Sequence, residues 1–268
     1  MALLEVKNLS TYFFAKDGIR KAVDNISFLI ELGETFGLVG ESGCGKTVTA
    51  LSILNLIDEP GKIVSGDIIF DNKSLLSLDK EEIRKVRGKD ISIVFQEPLA
   101  ALNPVITIGE QITEQILAHV KMSKEEAKER ALALMRDVHL DSPERIFYDY
   151  PHRLSGGMRQ RVMIAMALCL EPKLLIADEP TTALDVTIQA EILELFCEIK
   201  RKLNMSMLFI THDLGIIAQL AERVAVMQRG RIVEQGSVEE IFYSPKRDYT
   251  KELLNAVPKI PEELMRAW

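Results

Sequence analysis

The chain has 268 residues, 47% apolar and 27% charged, enough apolar surface for a sizeable core and too balanced a composition for intrinsic disorder. Its net charge of −7 argues against a surface built for nucleic acid, and no apolar run approaches the roughly 18 residues that cross a bilayer. The N-terminus, MALLEVKNLS, lacks the basic and then apolar layout of a secretion signal, so the expected location is the cytosol. Cys44, Cys169 and Cys197 lie far apart and give neither a disulfide framework nor metal-ligand spacing.

Taken in chain order, residues 3–9 and 22–30 read as strands joined by a polar turn at Asp17-Gly18. An apolar strand, Phe36 to Val39, then runs into GESGCGKT (Gly40, Glu41, Ser42, Gly43, Cys44, Gly45, Lys46, Thr47) and an apolar-periodic helix from Val48 to Ile57. Strand, GxxxxGK[ST] loop and helix together turn backbone N–H groups around a phosphate chain, with Lys46 reaching the terminal phosphates and Thr47 placed for Mg²⁺. The helix beginning near Gly45 adds its positive dipole end. A thiol in such an electropositive loop is expected to react faster than a core thiol, which singles out Cys44.

Pro60-Gly61 breaks the pattern, Asp67 to Phe70 reads as a strand, and Asp79 with Glu82 opens a short helix through a capping box. A buried strand, Ile91 to Phe95, ends at Gln96, which could reach a metal or water or simply cap. Residues 108–170 are helical in pattern, with Ser123 and Glu126 capping one helix. The Lys and Arg residues of 121–136 alternate with Glu and read as a solvated amphipathic face. Leu154-Ser155-Gly156-Gly157-Met158-Arg159-Gln160-Arg161 opens a long helix with a serine cap and two glycines, a second anion-ready helix end.

Beyond it, strand 173–177 ends in Asp178-Glu179. In an open α/β sheet, ligands sit outside the carboxyl ends of strands, so Asp178 is a candidate for Mg²⁺ and Glu179 for polarising an attacking water. A helix-capping acid is the alternative, but the preceding run is too apolar for a solvated edge. Helix 186–202, strand 206–210 ending in Thr211-His212-Asp213, helix 213–220 and strands 223–228 and 231–235 complete the alternation. His212 could touch the terminal phosphate and orient the water. The pattern is an α/β sheet with a helical insertion, and the tail from Pro245 reads as an arm with an amphipathic piece, Tyr249 to Ala256.

These motifs, in this order and spacing, resemble the ATP-binding subunit of an ATP-binding cassette transporter. The resemblance implies an α/β P-loop NTPase (RecA-like) core with an N-terminal antiparallel β subdomain and an inserted α-helical subdomain. It places the nucleotide-binding domain at 1–245, its helical part at about 97–165, and a C-terminal extension at 246–268. It implies ATP and Mg²⁺ as ligands, with Thr47, Gln96 and Asp178 on the metal and Glu179, Gln96 and His212 in catalysis. An aromatic near the N-terminus stacks on adenine; Phe13, four residues after Leu9, fits best and Tyr12 is the alternate, with ordinary packing in the β subdomain the other reading of either. Ala183-Leu184-Asp185 runs along a dimer interface, where Ser155, Gly156, Gly157 and Met158 cap a nucleotide bound to the other subunit.

Phe95-Gln96-Glu97-Pro98, Leu102-Asn103-Pro104, Tyr150-Pro151-His152, the stretch TTALDVTIQA from Thr181 to Ala190, and Pro245 to Pro258 are similar to the dipeptide, oligopeptide and nickel importer branch. That branch implies a second, paired ATPase subunit, two membrane permease subunits and an extracytoplasmic binding protein acting indirectly, with no nucleic acid. It also implies a peripheral place on the cytoplasmic face of the membrane. A soluble cassette ATPase acting on nucleic acid or ribosomes is the rival reading. Arg247-Asp248 replaces the branch's usual His-Pro, and the sequence lacks the cysteine cluster that binds an iron–sulfur centre in some members, so none is expected here.

Overall fold

Strand formation extends further than the apolar patterning of the N-terminus indicates. In the computed structural model, which describes residues 1–16, 18–182 and 184–256, β1 (Ala2–Ala15) and β2 (Gly18–Glu31) are each 14 residues long. They pair antiparallel along their whole length, so ladder hydrogen bonds carry their polar ends beyond the buried Leu4, Leu9, Val23 and Ile30. Asp17, half of the expected turn, lies outside the described residues.

The elements that follow are β3 (Thr35–Val39), α1 (Lys46–Ile53), β4 (Gly61–Phe70), β5 (Lys73–Ser74), α2 (Lys80–Val86), β6 (Ile91–Val94), α3 (Pro98–Ala101), α4 (Ile108–His119), α5 (Lys124–Asp137), α6 (Pro143–Ile146) and α7 (Gly156–Leu168). After them come β7 (Leu174–Asp178), α8 (Val186–Leu203), β8 (Ser206–Thr211), α9 (Leu214–Leu220), β9 (Arg223–Gln228), β10 (Arg231–Ser237), α10 (Val238–Tyr243) and α11 (Asp248–Ala256). They divide into two compact units, one of Met1–Ile83 with the segment from Ser206 onward, the other of Arg84–Met205.

In the first unit β1 lies between β2 and β4 in an antiparallel sheet. β3 lies between β8 and β9, parallel to both, and β10 returns antiparallel on β9. All five residues of β3 and all six of β8 are buried, the reading expected of central parallel strands. α9 covers part of this layer so closely that a Cβ on Gly37 would sit 2.9 Å from Ile217.

In the second unit β6 and β7 pair parallel, with Val94 opposite Ala177. The helices there start where the sequence supplies caps. Thr107 with Glu110 and Ser123 with Glu126 form capping boxes for α4 and α5, Ser155 caps α7, and Asp185 accepts from Ile188 N–H at 3.0 Å to start α8. α8 ends at Asn204 in the left-handed region, with Lys200, Arg201 and Lys202 at its negative dipole end. Its buried stripe is Ile192, Leu193, Leu195, Phe196 and Ile199.

Candidate nucleotide site

In the first unit, chain geometry sets the phosphate loop. β3 and β8 are adjacent and parallel with Val39 opposite Thr211, so Gly40 and His212 leave the sheet side by side at its carboxyl edge. Gly40 and Gly45 have φ of 155° and 114°. A Cβ would lie 2.1 Å from the Met227 carbonyl oxygen at Gly40 and 2.2 Å from that of Ala22 at Gly45, so glycine is needed for both the turn and the close approach.

Glu41, Ser42, Gly43 and Thr47 are exposed, whereas Lys46 is buried and donates from Nζ to the carbonyls of Gly40 (2.7 Å) and Glu41 (3.1 Å). The lysine ammonium is therefore held inside the ring of the loop. α1 starts at Gly45 with no side-chain cap and no acidic residue in its first turn, leaving its positive end to an outside anion. It stops at Ile53, short of the expected Ile57, and Asn55 turns the chain at φ 50°.

One expectation is overturned here. The Cys44 thiol is 7% exposed and faces inward, where a Cβ on Gly40 would touch its Sγ at 2.8 Å. Burial pushes its pKa up, and the nearby Lys46 charge offsets only part of that. Cys44 is thus a packed thiol in a setting that disfavours its thiolate, the opposite of the activation its loop position leads one to expect.

The two aromatic candidates part company on alternate faces of β1. Tyr12 donates from its hydroxyl to Asp24 Oδ1 at 2.8 Å, Lys21 lies 5.2 Å above its ring, and Arg231 grips the other Asp24 oxygen through Nε and Nη2 at 2.9 and 2.6 Å. Phe13 shares the face of Thr11, whose hydroxyl meets Ser52 of α1 at 2.8 Å, and packs against Gly61.

In the second unit the register of β6 and β7 brings Gln96 and Glu179 to one carboxyl edge. Gln96 is exposed, and its Nε2 comes within 3.5 Å of Glu179 Oε2; the residue at the N-cap of α3 is Glu97, so Gln96 is not a capping amide. Asp178 is 2% exposed and ends β7. Glu179 holds a left-handed backbone at φ 47°, a conformation that costs a non-glycine residue about 1–3 kcal/mol and concentrates at functional positions. Thr182 donates to Glu179 Oε2 at 2.9 Å. Thr182 is not among the sequence candidates, although a hydroxyl three residues after an acid on a turn is a signal for such a contact.

At the start of α7 the Ser155 hydroxyl accepts from Met158 N–H at 3.2 Å. The helix end is exposed at Ser155 and half-buried through Gly156, Gly157 and Met158. A Cβ on Gly157 would meet Ile188 at 2.9 Å, while one on Gly156 would find its nearest neighbour at 3.9 Å. Asp185 is exposed and caps α8, and Ala183 lies outside the described residues.

The pattern of the ABC transporter family matches residues 23–182. The chain is 53% identical to the oligopeptide transport ATP-binding protein AppD of Bacillus subtilis over 98% of this chain and 80% of that one. The chain belongs to the ABC transporter family. The dipeptide transport ATP-binding protein DppD of the same organism is 52% identical over 96% of this chain and 77% of its own length. Among solved structures, a dimeric post-hydrolysis state of the cassette MJ0796, bound to ADP and Pi, is 30% identical with a TM-score of 0.78, covering 88% of this chain and 98% of that one. The fold is that of an ABC cassette, and the chain is an ATP-hydrolysing member of the family.

Proposed function

We propose that this cassette is the ATP-hydrolysing subunit of an importer for di- and oligopeptides, docked on the cytoplasmic face of the membrane against two permease subunits. The substrate class rests on relatives near 50% identity that are named for peptide transport. Two cassettes, this chain and a paired second ATPase, close head to tail, and each site joins one loop at 40–47 to the other's Ser155-Gly156-Gly157 helix end. The observation that carries hydrolysis is Glu179, held in a strained backbone at a strand end with its carboxylate fixed by Gln96 and Thr182.

Each part has a role suited to its chemistry. Lys46 and the loop amides bind the phosphates, and Phe13 rather than the hydrogen-bonded Tyr12 stacks on adenine. Glu179 takes the proton of the attacking water while ADP leaves, and His212 orients that water toward the terminal phosphate. Among the described residues no cluster of three His, Cys, Asp or Glu is placed to hold a metal ion. That suits Mg²⁺, which takes few protein ligands and keeps phosphate and water oxygens. Thr47, Gln96 and Asp178 would supply oxygens to it, and the ion would neutralise charge on the phosphates.

Leu99 and Val105 are 60% and 78% exposed in the segment after Gln96, an apolar surface suited to a membrane subunit. Within the helical part at about 97–165, this segment would pass the closing movement to the permease. The test of the hydrolytic assignment is Glu179→Gln. It should keep ATP affinity and lose about 10²–10⁴-fold in turnover, whereas turnover within tenfold of the parent would contradict the role.

A further inference from the structure

The phosphate loop is tied to its own unit at two backbone points, and one tether comes from more than 200 residues downstream. The Cys44 carbonyl accepts from Gly230 N–H at 2.8 Å. The Glu41 N–H donates to the Tyr249 hydroxyl at 3.2 Å. Glu41 N–H and Gly40 C=O belong to the same planar peptide unit, and that Gly40 carbonyl is the one that holds Lys46 Nζ at 2.7 Å. Rotating this peptide breaks both bonds together.

Tyr249 is set for this contact. It is 9% exposed, beside the fully buried Thr250, although α11 stands at the end of the described chain. The helix start is fixed by Glu234, whose carboxylate accepts from the N–H groups of Lys246 (2.7 Å) and Arg247 (3.1 Å). Arg247 Nε also donates to the Val233 carbonyl at 3.2 Å, so the arginine that departs from the branch's usual His-Pro itself anchors the arm. Glu41 to Gly43 are exposed, and the bonds from Lys46 Nζ and Cys44 N–H to the Glu41 carbonyl come from within the loop, whereas the Tyr249 hydroxyl holds Glu41 from outside it.

We propose that Tyr249 is a positioning residue of the nucleotide site, its hydroxyl fixing the Gly40–Glu41 peptide so that the loop and Lys46 are preorganised for phosphate. The inference rests on the reading of 40–47 as the ATP loop. Preorganisation acts on binding, because the hydroxyl touches no reacting atom.

The test is Tyr249→Phe, which keeps the ring and removes the oxygen. Displacement of trinitrophenyl-ATP should report an ATP Kd raised about threefold to tenfold, with kcat at saturating ATP changed by less than about twofold. Amide hydrogen exchange at Glu41 should speed up while that of β3 and α1 stays put, a pattern that general loosening of the fold would not give. Lys251→Ala, which removes only an exposed ion pair with Asp248 in the same helix, should match the parent. In the unmutated protein, ATP should slow exchange in α11 as well as in the loop, a readout that does not depend on how the variant folds.

Parent-like Kd in Tyr249→Phe, an equal loss in Lys251→Ala, or no slowing in α11 would each overturn the inference while leaving the ATP loop intact. Failure of the parent protein to bind ATP would instead remove the reading of the loop, and the inference with it.

Discussion

At the residue scale the phosphate loop shows which parts of a site are carried by the chain's letters. The spacing of Gly40, Gly45, Lys46 and Thr47 is enough to locate it, because the backbone turn and the close approach to the Met227 and Ala22 carbonyls demand glycine wherever they occur. The direction of Cys44 was not legible, since it depends on how left-handed glycines on either side swing the thiol under the loop. Two predictions follow from these geometries. Gly45→Ala should destabilise the protein by at least about 1–3 kcal/mol, read as a lower denaturation midpoint, and should weaken ATP binding. In the folded protein a chromogenic disulfide reagent at neutral pH should modify the half-buried Cys197 well before Cys44 or Cys169, the latter with its thiol pushed up to about 12 by burial. Fast modification of Cys44 would contradict its inward placement. The pairing of Gln96 with Glu179 was legible only as two strand ends, because parallel register, not sequence distance, sets them side by side.

Elements were legible where they carry their own start signals and less so where a neighbour completes them. The capping boxes at Asp79, Thr107 and Ser123 mark the starts of α2, α4 and α5 from side chains a few residues apart. β1, β2 and β4 outrun their apolar cores because cross-strand hydrogen bonds, which no local pattern records, hold their polar ends. α10 falls in the gap between strand 231–235 and the tail from Pro245, where the apolar pattern marks no element, although Ser237 with Glu240 signals its start. Asp185 gives this scale its test. Asp185→Ala should remove the α8 cap and lower stability by about 1 kcal/mol. If the family role at the dimer interface also holds, ATPase activity should fall by more than that stability loss explains, whereas Asp185→Asn should restore the cap and not the full activity. Val105→Asp, on the exposed segment after Gln96, should leave the ATPase of the isolated cassette unchanged and reduce peptide uptake by the assembled transporter.

For the whole molecule, each compact unit carries one edge of chemistry. The first unit holds the phosphate loop and His212 at the carboxyl ends of β3 and β8, and the second holds Gln96, Asp178 and Glu179 at the ends of β6 and β7. The Ser155-Gly156-Gly157 helix end, exposed at its serine, is the feature a single bound nucleotide leaves unexplained, and the proposed pairing of cassettes across ATP would account for it. Phosphate bonds from backbone and lysine, each contributing about 1.5–3 kcal/mol, would then drive closure, and loss of the terminal phosphate would reverse it. The most direct measurement is the mass, by analytical ultracentrifugation, of the Glu179→Gln cassette with its paired ATPase carrying the equivalent change, with and without MgATP. The account predicts a stable pair in MgATP that falls apart in MgADP and does not form with Lys46→Ala. Monomers in MgATP, with nucleotide demonstrably bound, would contradict it.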